Sequence, residues 1–322
     1  MGWQRFAVRL TTAALVLASL GGLTSCSGNP PERAGRVQPA GGGPEESGDA
    51  ITVAAVGDIQ PPYQSDDAEG TAKAAGSAEF ILGLGDYQYD TGRLSDYNAY
   101  FDKTWGPLVP KMYPVLGPTH DESWTGDPVR YFNGAGASGY QSPVKIREHT
   151  SYSFDKGAWH FIAIDDSCYR DTDNCDPSAL LSWVKEDLAA HHNRCTLAYW
   201  HQAYFTRPSE EHDPYDDVRP VVEALYDAGV DVALQGHQHN YERFAPQTPD
   251  RLRDDERGIR AFVVGTGGIG SDESSGHAPN SKAFRDSTFG VLKMTLRKGG
   301  YDWRFENTGG KPFKDVGTGT CH

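Results

Sequence analysis

The 322-residue chain carries 30 Lys and Arg against 44 Asp and Glu, a net charge of −14, with 38% hydrophobic and 23% charged residues. That is an ordinary globular composition, long enough to bury a sizeable core, and its acidity argues against nucleic acid or an anionic membrane surface as the main partner. It also sets a condition, because any anionic substrate would need a local source of positive charge.

In chain order, the N-terminus comes first. Arg5 and Arg9 precede an apolar stretch from Leu10 to Leu20 and small residues ending at Cys26, the layout of an export signal and too short for a spanning helix. "LTSC" resembles a bacterial lipobox, in which the cysteine becomes the lipidated first residue. Residues 1–26 are therefore predicted to be a signal peptide with a lipobox. Residues 27–50 form a Gly/Pro/Ser/Glu tether that cannot bury a core, and 51–322 form the folded domain. The expected location is outside the cell, as a surface lipoprotein or a secreted protein that meets the membrane only through a lipid anchor.

From Ile51 onward, "ITVAAVGD", "FILGLGD", "MYPVLG", "HFIAIDD", "CTLAYWH", "VDVALQGH" and "IRAFVVGTGG" read as strands. Helical patterns occupy 93–102, 178–190 and 218–228, and the last segment reads as a hairpin turning at Gly299-Gly300. Continuous apolar strands separated by helices predict a largely buried sheet covered by helices, an α/β fold. Without Cys26, four cysteines remain, an even number in an exported chain. Four cysteines allow three pairings. "CYRDTDNC" closes a short polar loop, which favours Cys168–Cys175 and leaves Cys195 for Cys321; the spacings are not those of a CxxC zinc site.

The strands end on potential metal ligands: Asp58, Asp86, His120, His201 and His237. A single strand-end Asp is commonly a helix cap, and a lone His is commonly a surface residue. Five such endings aimed at the crevice edge of an open α/β sheet point to a site. Imidazole with carboxylate suits iron, zinc or manganese. A carboxylate can bridge two cations about 3.5–4 Å apart, and two cations would supply the missing positive charge.

These residues resemble a known family. "GD" at 57–58, "GDYQY" at 85–89, "GPTHDE" at 117–122, "YWH" at 199–201 and "GHQH" at 236–239 match, in order, the five blocks of calcineurin-like metallophosphoesterases. Tyr89 in the second block and "NYER" after the last make the chain look most like purple acid phosphatases, in particular the short exported actinobacterial members. The resemblance implies a four-layer α/β/β/α sandwich over 51–322 as the catalytic domain. One metal would be held by Asp58, Tyr89 and His239 and a second by His201 and His237, with Asp86 bridging. Gln60 stands where many superfamily members place a histidine ligand, and a Tyr89 phenolate implies Fe(III) beside Zn, Mn or Fe(II).

One block departs from the pattern. Where the family has Gly-Asn-His-Asp/Glu, this chain has Pro118 and Thr119 before His120, which puts a hydroxyl at the position of an amide ligand to the second metal. His120 keeps the implied role at phosphate or leaving group, and His212 is a second candidate facing phosphate. Glu242 and Arg243 read as supports for the loop after "GHQH", and Trp200 as core. The implied activity is hydrolysis of phosphate monoesters of small molecules by metal-activated hydroxide. The alternatives are a phosphodiesterase or nucleotidase on the same site, or a degenerate non-hydrolytic phosphate- or surface-binding lipoprotein.

Overall fold

A computed structural model describes residues 50–322 apart from 122–125, 150, 192, 194, 272 and 275. The predicted signal peptide, Cys26 and residues 27–49 of the tether lie outside the described residues, as do Glu122 and His192. All described elements fall within one compact unit, Glu46–His322. No helix among the described residues is long and apolar enough to cross a membrane.

The seven strand-like runs are all strands: β1 (Ile51–Val56), β2 (Phe80–Leu84), β3 (Met112–Val115), β5 (Trp159–Ala163), β6 (Cys195–Trp200), β7 (Val232–Gln235) and β9 (Arg260–Val264). Between and after them come β4 (Tyr152–Lys156), β8 (Tyr241–Phe244), β10 (Ser281–Arg285), β11 (Thr288–Arg297), β12 (Gly300–Gly310) and β13 (Val316–Thr320). They build two sheets. The first has the order β13-β12-β11-β1-β2-β3, and the second β10-β8-β9-β7-β6-β5-β4. Their centres are parallel, β1 with β2 and β3 in one, β5, β6, β7 and β9 in the other.

The period of two explains the layers. Val53, Ala55, Leu82 and Leu84 meet Phe161, Leu197, Tyr199 and Leu234 in a core between the sheets. The alternate residues Ala54, Val56 and Ile81 face helix α1 (Asp66–Ala75) and the aromatic side chains of Tyr97, Phe101 and Trp105. On the far side Ile162, Ala198 and Ala233 pack with α5 (Pro177–Ala190) and α6 (Arg219–Asp227). Strands buried on both faces are therefore apolar at every position, and the architecture is the four-layer α/β/β/α sandwich.

Local chemistry sets the helix starts. Ser65 caps α1 by accepting from Ala68 N, with Asp66, Asp67 and Glu69 in its first turn, and Asp176 caps α5 ahead of Pro177. The predicted helix at 93–102 is a composite: α2 (Leu94–Asp96), a π turn over Tyr97–Phe101, and α3 (Asp102–Thr104), with α4 (Asp127–Phe132) following β3. The β11–β12 hairpin turns at Lys298-Gly299, one residue earlier than expected. Gly299 takes the left-handed conformation (φ 84°), and Gly300 is already paired with Arg297. Both expected disulfides form, Cys168–Cys175 and Cys195–Cys321.

Candidate metal centre

Three strands deliver side chains to the carboxyl edge by one device. After β1, β2 and β7, a glycine (Gly57, Gly85, Gly236) leads into a residue with left-handed backbone: Asp58 at φ 60°, Asp86 at 52° and His237 at 69°. For non-glycine residues such conformations cost of order 1–3 kcal/mol and persist where the surroundings enforce them. Backbone also crowds the carboxylates. A Cβ on Gly236 would stand 3.0 Å from Asp58 Oδ2, and one on Gly117 would collide with Asp86 Oδ1.

The oxygens and nitrogens converge across both sheets. Tyr89 OH lies 2.9 Å from Asp58 Oδ1, 3.3 Å from Asp86 Oδ2 and 3.2 Å from His239 Nε2. On the other side of Asp86, the same Oδ2 is 3.2 Å from His201 Nε2. Asp86, His201 and His237 each offer a ligand atom within 4.8 Å of the others. Asp86 thus stands between a Tyr89–Asp58–His239 group and a His201–His237 group.

Hydrogen bonds fix how each group is presented. His201 Nδ1 donates to the carbonyl of Leu84 (2.7 Å), which joins the two sheets and leaves Nε2 with the lone pair when the ring is neutral. That Nε2 is fully buried and meets Asp86 Oδ2 at 3.2 Å without a hydrogen bond. Asp58 Oδ2 accepts from His237 N (2.9 Å), and Asp86 Oδ1 from His120 N (3.2 Å).

The electrostatics point the same way. Burial opposes charge on both Asp86 and His201, yet their mutual attraction wins in the absence of a cation. Asp86 is held below the usual carboxylate range, and His201 is pushed up to about 10. His237 is driven well below its ordinary value by burial and then by His201 and His212. Tyr89 is driven well above its own by burial and then by Asp58 and Asp86. Carboxylates, a phenol and imidazoles buried together around one carboxylate oxygen are a donor set that fits cations. An orphaned buried nitrogen and a carboxylate oxygen shared between two donor groups fit two metal ions.

The remaining predicted residues fall as follows. His120 packs its ring 4.1 Å from that of Tyr89 and donates Nδ1–H to Asp90 O, so Nε2 is the atom left for chemistry. His212 comes to the site from its loop, with its ring 4.1 Å from His237 and 5.8 Å from His239. Thr119 is exposed, and its hydroxyl accepts from Arg170 Nη1 at 3.2 Å; the group from this turn that reaches Asp86 is the His120 main chain. Gln60 is buried, and its amide group bonds Pro61 O, Tyr63 O and the Thr104 hydroxyl. Glu242 is buried under Arg207, Arg243 pairs with Asp315, and Trp200 lies in the outer core.

Two buried carboxyls that hold the main chain beside candidate ligands are given no role by the sequence motifs. Asp121 accepts from the main-chain N–H groups of Asp86, Tyr87 and Gly117 and from Tyr97 OH, so it pins the Asp86 turn to the β3 loop. Burial and then the Asp86 charge raise it to about 7. Asp166 holds Gln202 N, next to His201, and burial raises it likewise to about 7. The signal was available: both follow a strand, in "THD" and "IDD".

No family profile matches the chain. Among curated proteins it is similar to "Probable inactive purple acid phosphatase 1" of Arabidopsis thaliana, 24% identical over 241 residues, covering 67% of this chain and 38% of that protein. It is also similar to "Nucleotide pyrophosphatase/phosphodiesterase" of Hordeum vulgare, 23% identical, covering 67% and 65%. The chain thus spans about two fifths of the length of the Arabidopsis relative. Among solved structures it resembles purple acid phosphatase PPD1 from yellow lupin (TM-score 0.64, 17% identity, covering 84% of this chain and 53% of that one). It also resembles PhoD (TM-score 0.53, 13% identity, covering 84% and 68%). The chain carries the calcineurin-like metallophosphoesterase fold and is similar in sequence to proteins named purple acid phosphatase.

Proposed function

We propose that this chain is an exported, binuclear-metal hydrolase of phosphate monoesters. The observation that carries the proposal is the position of Asp86 Oδ2, 3.3 Å from Tyr89 OH and 3.2 Å from an otherwise unpartnered His201 Nε2. Asp58, Tyr89 and His239 would hold one cation and His201 and His237 the other, with Asp86 between them. A phenolate among the donors favours Fe(III) at the first site, with Zn, Mn or Fe(II) at the second. Bound there, the pair supplies Lewis acidity toward phosphate oxygens and an activated water for attack at phosphorus.

The chain's own residues do the rest. Leu84 O fixes the His201 tautomer, and Asp121 fixes the turn that carries Asp86. His120, its Nδ1–H committed to Asp90 O, holds a proton at Nε2 for the departing alcohol. His212, beside His237, faces phosphate. The two disulfides support an oxidising compartment, in keeping with the export signal read from the N-terminus.

A diesterase reading draws on the name of the barley relative. A non-hydrolytic reading draws on the names of the Arabidopsis relatives and on Thr119, whose hydroxyl faces Arg170. Elemental analysis of the purified protein with turnover of p-nitrophenyl phosphate and bis-p-nitrophenyl phosphate separates the three. The expected result is two metals per chain and preferential cleavage of the monoester. A purple charge-transfer band is expected in the oxidised protein and should vanish in Tyr89→Phe. A colourless, active protein holding only zinc or manganese would remove Tyr89 from the ligand set, and metal-loaded protein without turnover would overturn hydrolysis itself.

A further inference from the structure

Between the two candidate ligands His237 and His239 lies Gln238, which is fully buried. Its side chain reaches the loop of His212, where Nε2 donates to His212 O at 2.9 Å. The main chain of Gln238 is closely held. A Cβ on Gly265 would collide with Gln238 O, and Asn240 N donates to that same oxygen at 2.6 Å.

The His212 loop is fixed at both ends and open between them. Arg207 is buried, with its main-chain N–H and its guanidinium on Glu242, and Tyr215 N donates to Ala203 O at 2.9 Å. Glu210, Glu211 and Asp213 are exposed. Ser209 and His212 close a turn on themselves: Ser209 N donates to His212 O at 2.8 Å, and Ser209 Oγ accepts from His212 N at 2.9 Å. These two bonds set the shape of the turn. Its place is set from outside. A bond from Glu210 N to Glu273 O (3.0 Å) joins it to a neighbouring loop, and the bond from Gln238 joins it to the ligand segment itself. So placed, the His212 ring stands 4.1 Å from that of His237 and 5.8 Å from that of His239.

The buried Oε1 of Gln238 accepts no hydrogen bond from the described residues, so a side chain of similar length without the amide would fill the position at little cost in stability. What the amide adds is the bond to His212. Resting on the function proposed above, we infer that Gln238 is a positioning residue, which through His212 O holds the His212 imidazole where the substrate phosphate meets it. Gly-His-Gln-His would then serve the metals through its histidines and the phosphate through its glutamine.

A double-mutant cycle on the metal-loaded full chain, read by calorimetry with inorganic phosphate and by turnover of p-nitrophenyl phosphate, tests this. Gln238→Met keeps the length and removes the donor. It should leave the metal content as in the wild type and weaken phosphate binding about three- to tenfold, the scale of one hydrogen bond. The loss should appear in KM more than in kcat. His212→Ala should weaken binding at least as much, and adding Gln238→Met to it should weaken binding no further. Where Gln238→Met does not fold, Gln238→Glu, close in shape and as a carboxylate without the donor, is measured in its place. Losses that multiply in the double variant, unchanged phosphate affinity in Gln238→Met, or metal lost from it would overturn the inference, as would a metal-loaded wild type that binds no phosphate. The coupling without turnover of any ester would refute the hydrolase reading and leave this one standing; turnover with independent losses would do the reverse.

Discussion

Two histidine–aspartate clusters sit at opposite ends of the second sheet, and they differ in whether their members satisfy one another. At the start of β5, His160 is fully buried with Nδ1 2.9 Å from Asp155 Oδ1 and Nε2 2.8 Å from Asp187 Oδ2. His191 stacks on its ring at 4.2 Å. Burial lowers the His160 pKa, but the hydrogen bonds to Asp187 and Asp155 outweigh it, and the net shift is upward. The cluster is a closed ion network that ties the edge hairpin to α5. Past the end of β6, by contrast, His201 has a buried nitrogen without a partner, and Asp58, Asp86 and His237 hold left-handed backbone. The same residue types make a structural clamp at one end and a candidate metal centre at the other. What separates the two is that both ring nitrogens of His160 are hydrogen-bonded to carboxylates, whereas Nε2 of His201 is not hydrogen-bonded.

The sharpest way to break this contrast is to delete one member from each end. His237→Ala should lower p-nitrophenyl phosphate turnover by more than about a hundredfold, because groups that merely orient metal ligands are already worth roughly 10–100-fold. Its metal-free unfolding free energy should move by less than about 1 kcal/mol, since the bond that anchors this residue, from its main-chain N–H to Asp58 Oδ2, survives the change. Near-wild-type turnover would place the centre elsewhere. His160→Leu should do the opposite, leaving metal content and turnover per folded molecule unchanged. It should destabilise the domain by roughly 1–3 kcal/mol in denaturant titrations, because the buried Oδ2 of Asp187 loses its hydrogen bond while Oδ1 keeps Ser153. Loss of activity in the folded variant would show that the two ends are coupled.

A smaller effect sharpens the comparison through pH. The folded-state pKa of His160 is raised. Its contribution is therefore fully present below the unfolded value of about 6.5 and is lost as pH rises through the folded value. The stability gap between wild type and His160→Leu should be widest in mildly acidic buffer and narrow toward alkaline pH, as followed by urea unfolding. A gap that widened with pH would mean that the ring is buried neutral.

The candidate ligands were legible because a strand buried on both faces is a continuous apolar run, and its end is announced by Gly-Asp or Gly-His. The outer elements carried no such mark. Helix α1 turns mainly alanines to the core, and β4, β10 and β13 are partly exposed strands without clean alternation. His212 could be placed only by folding, because a loop position has no periodicity to fix its direction. The Thr119–Arg170 contact spans 51 residues and joins the β3 turn to the loop closed by Cys168–Cys175. The hydroxyl that block alignment puts at a ligand position faces a residue that no motif includes.

The order of the first sheet has a consequence for how the centre comes into being. β1, which delivers Asp58, lies between β2 and β11, with Ile51 paired to Leu296. A growing polypeptide emerges N-terminus first, so Asp58 and Asp86 leave the ribosome long before the strand that completes their sheet. The imidazoles at 201, 237 and 239 arrive in between, on the other sheet. Pairing across so long a stretch of sequence is slow, because loop closure precedes the contacts that repay it. Any cation the proposed centre takes would therefore meet a complete donor set only once β1 has paired with β11, late in the folding of the chain.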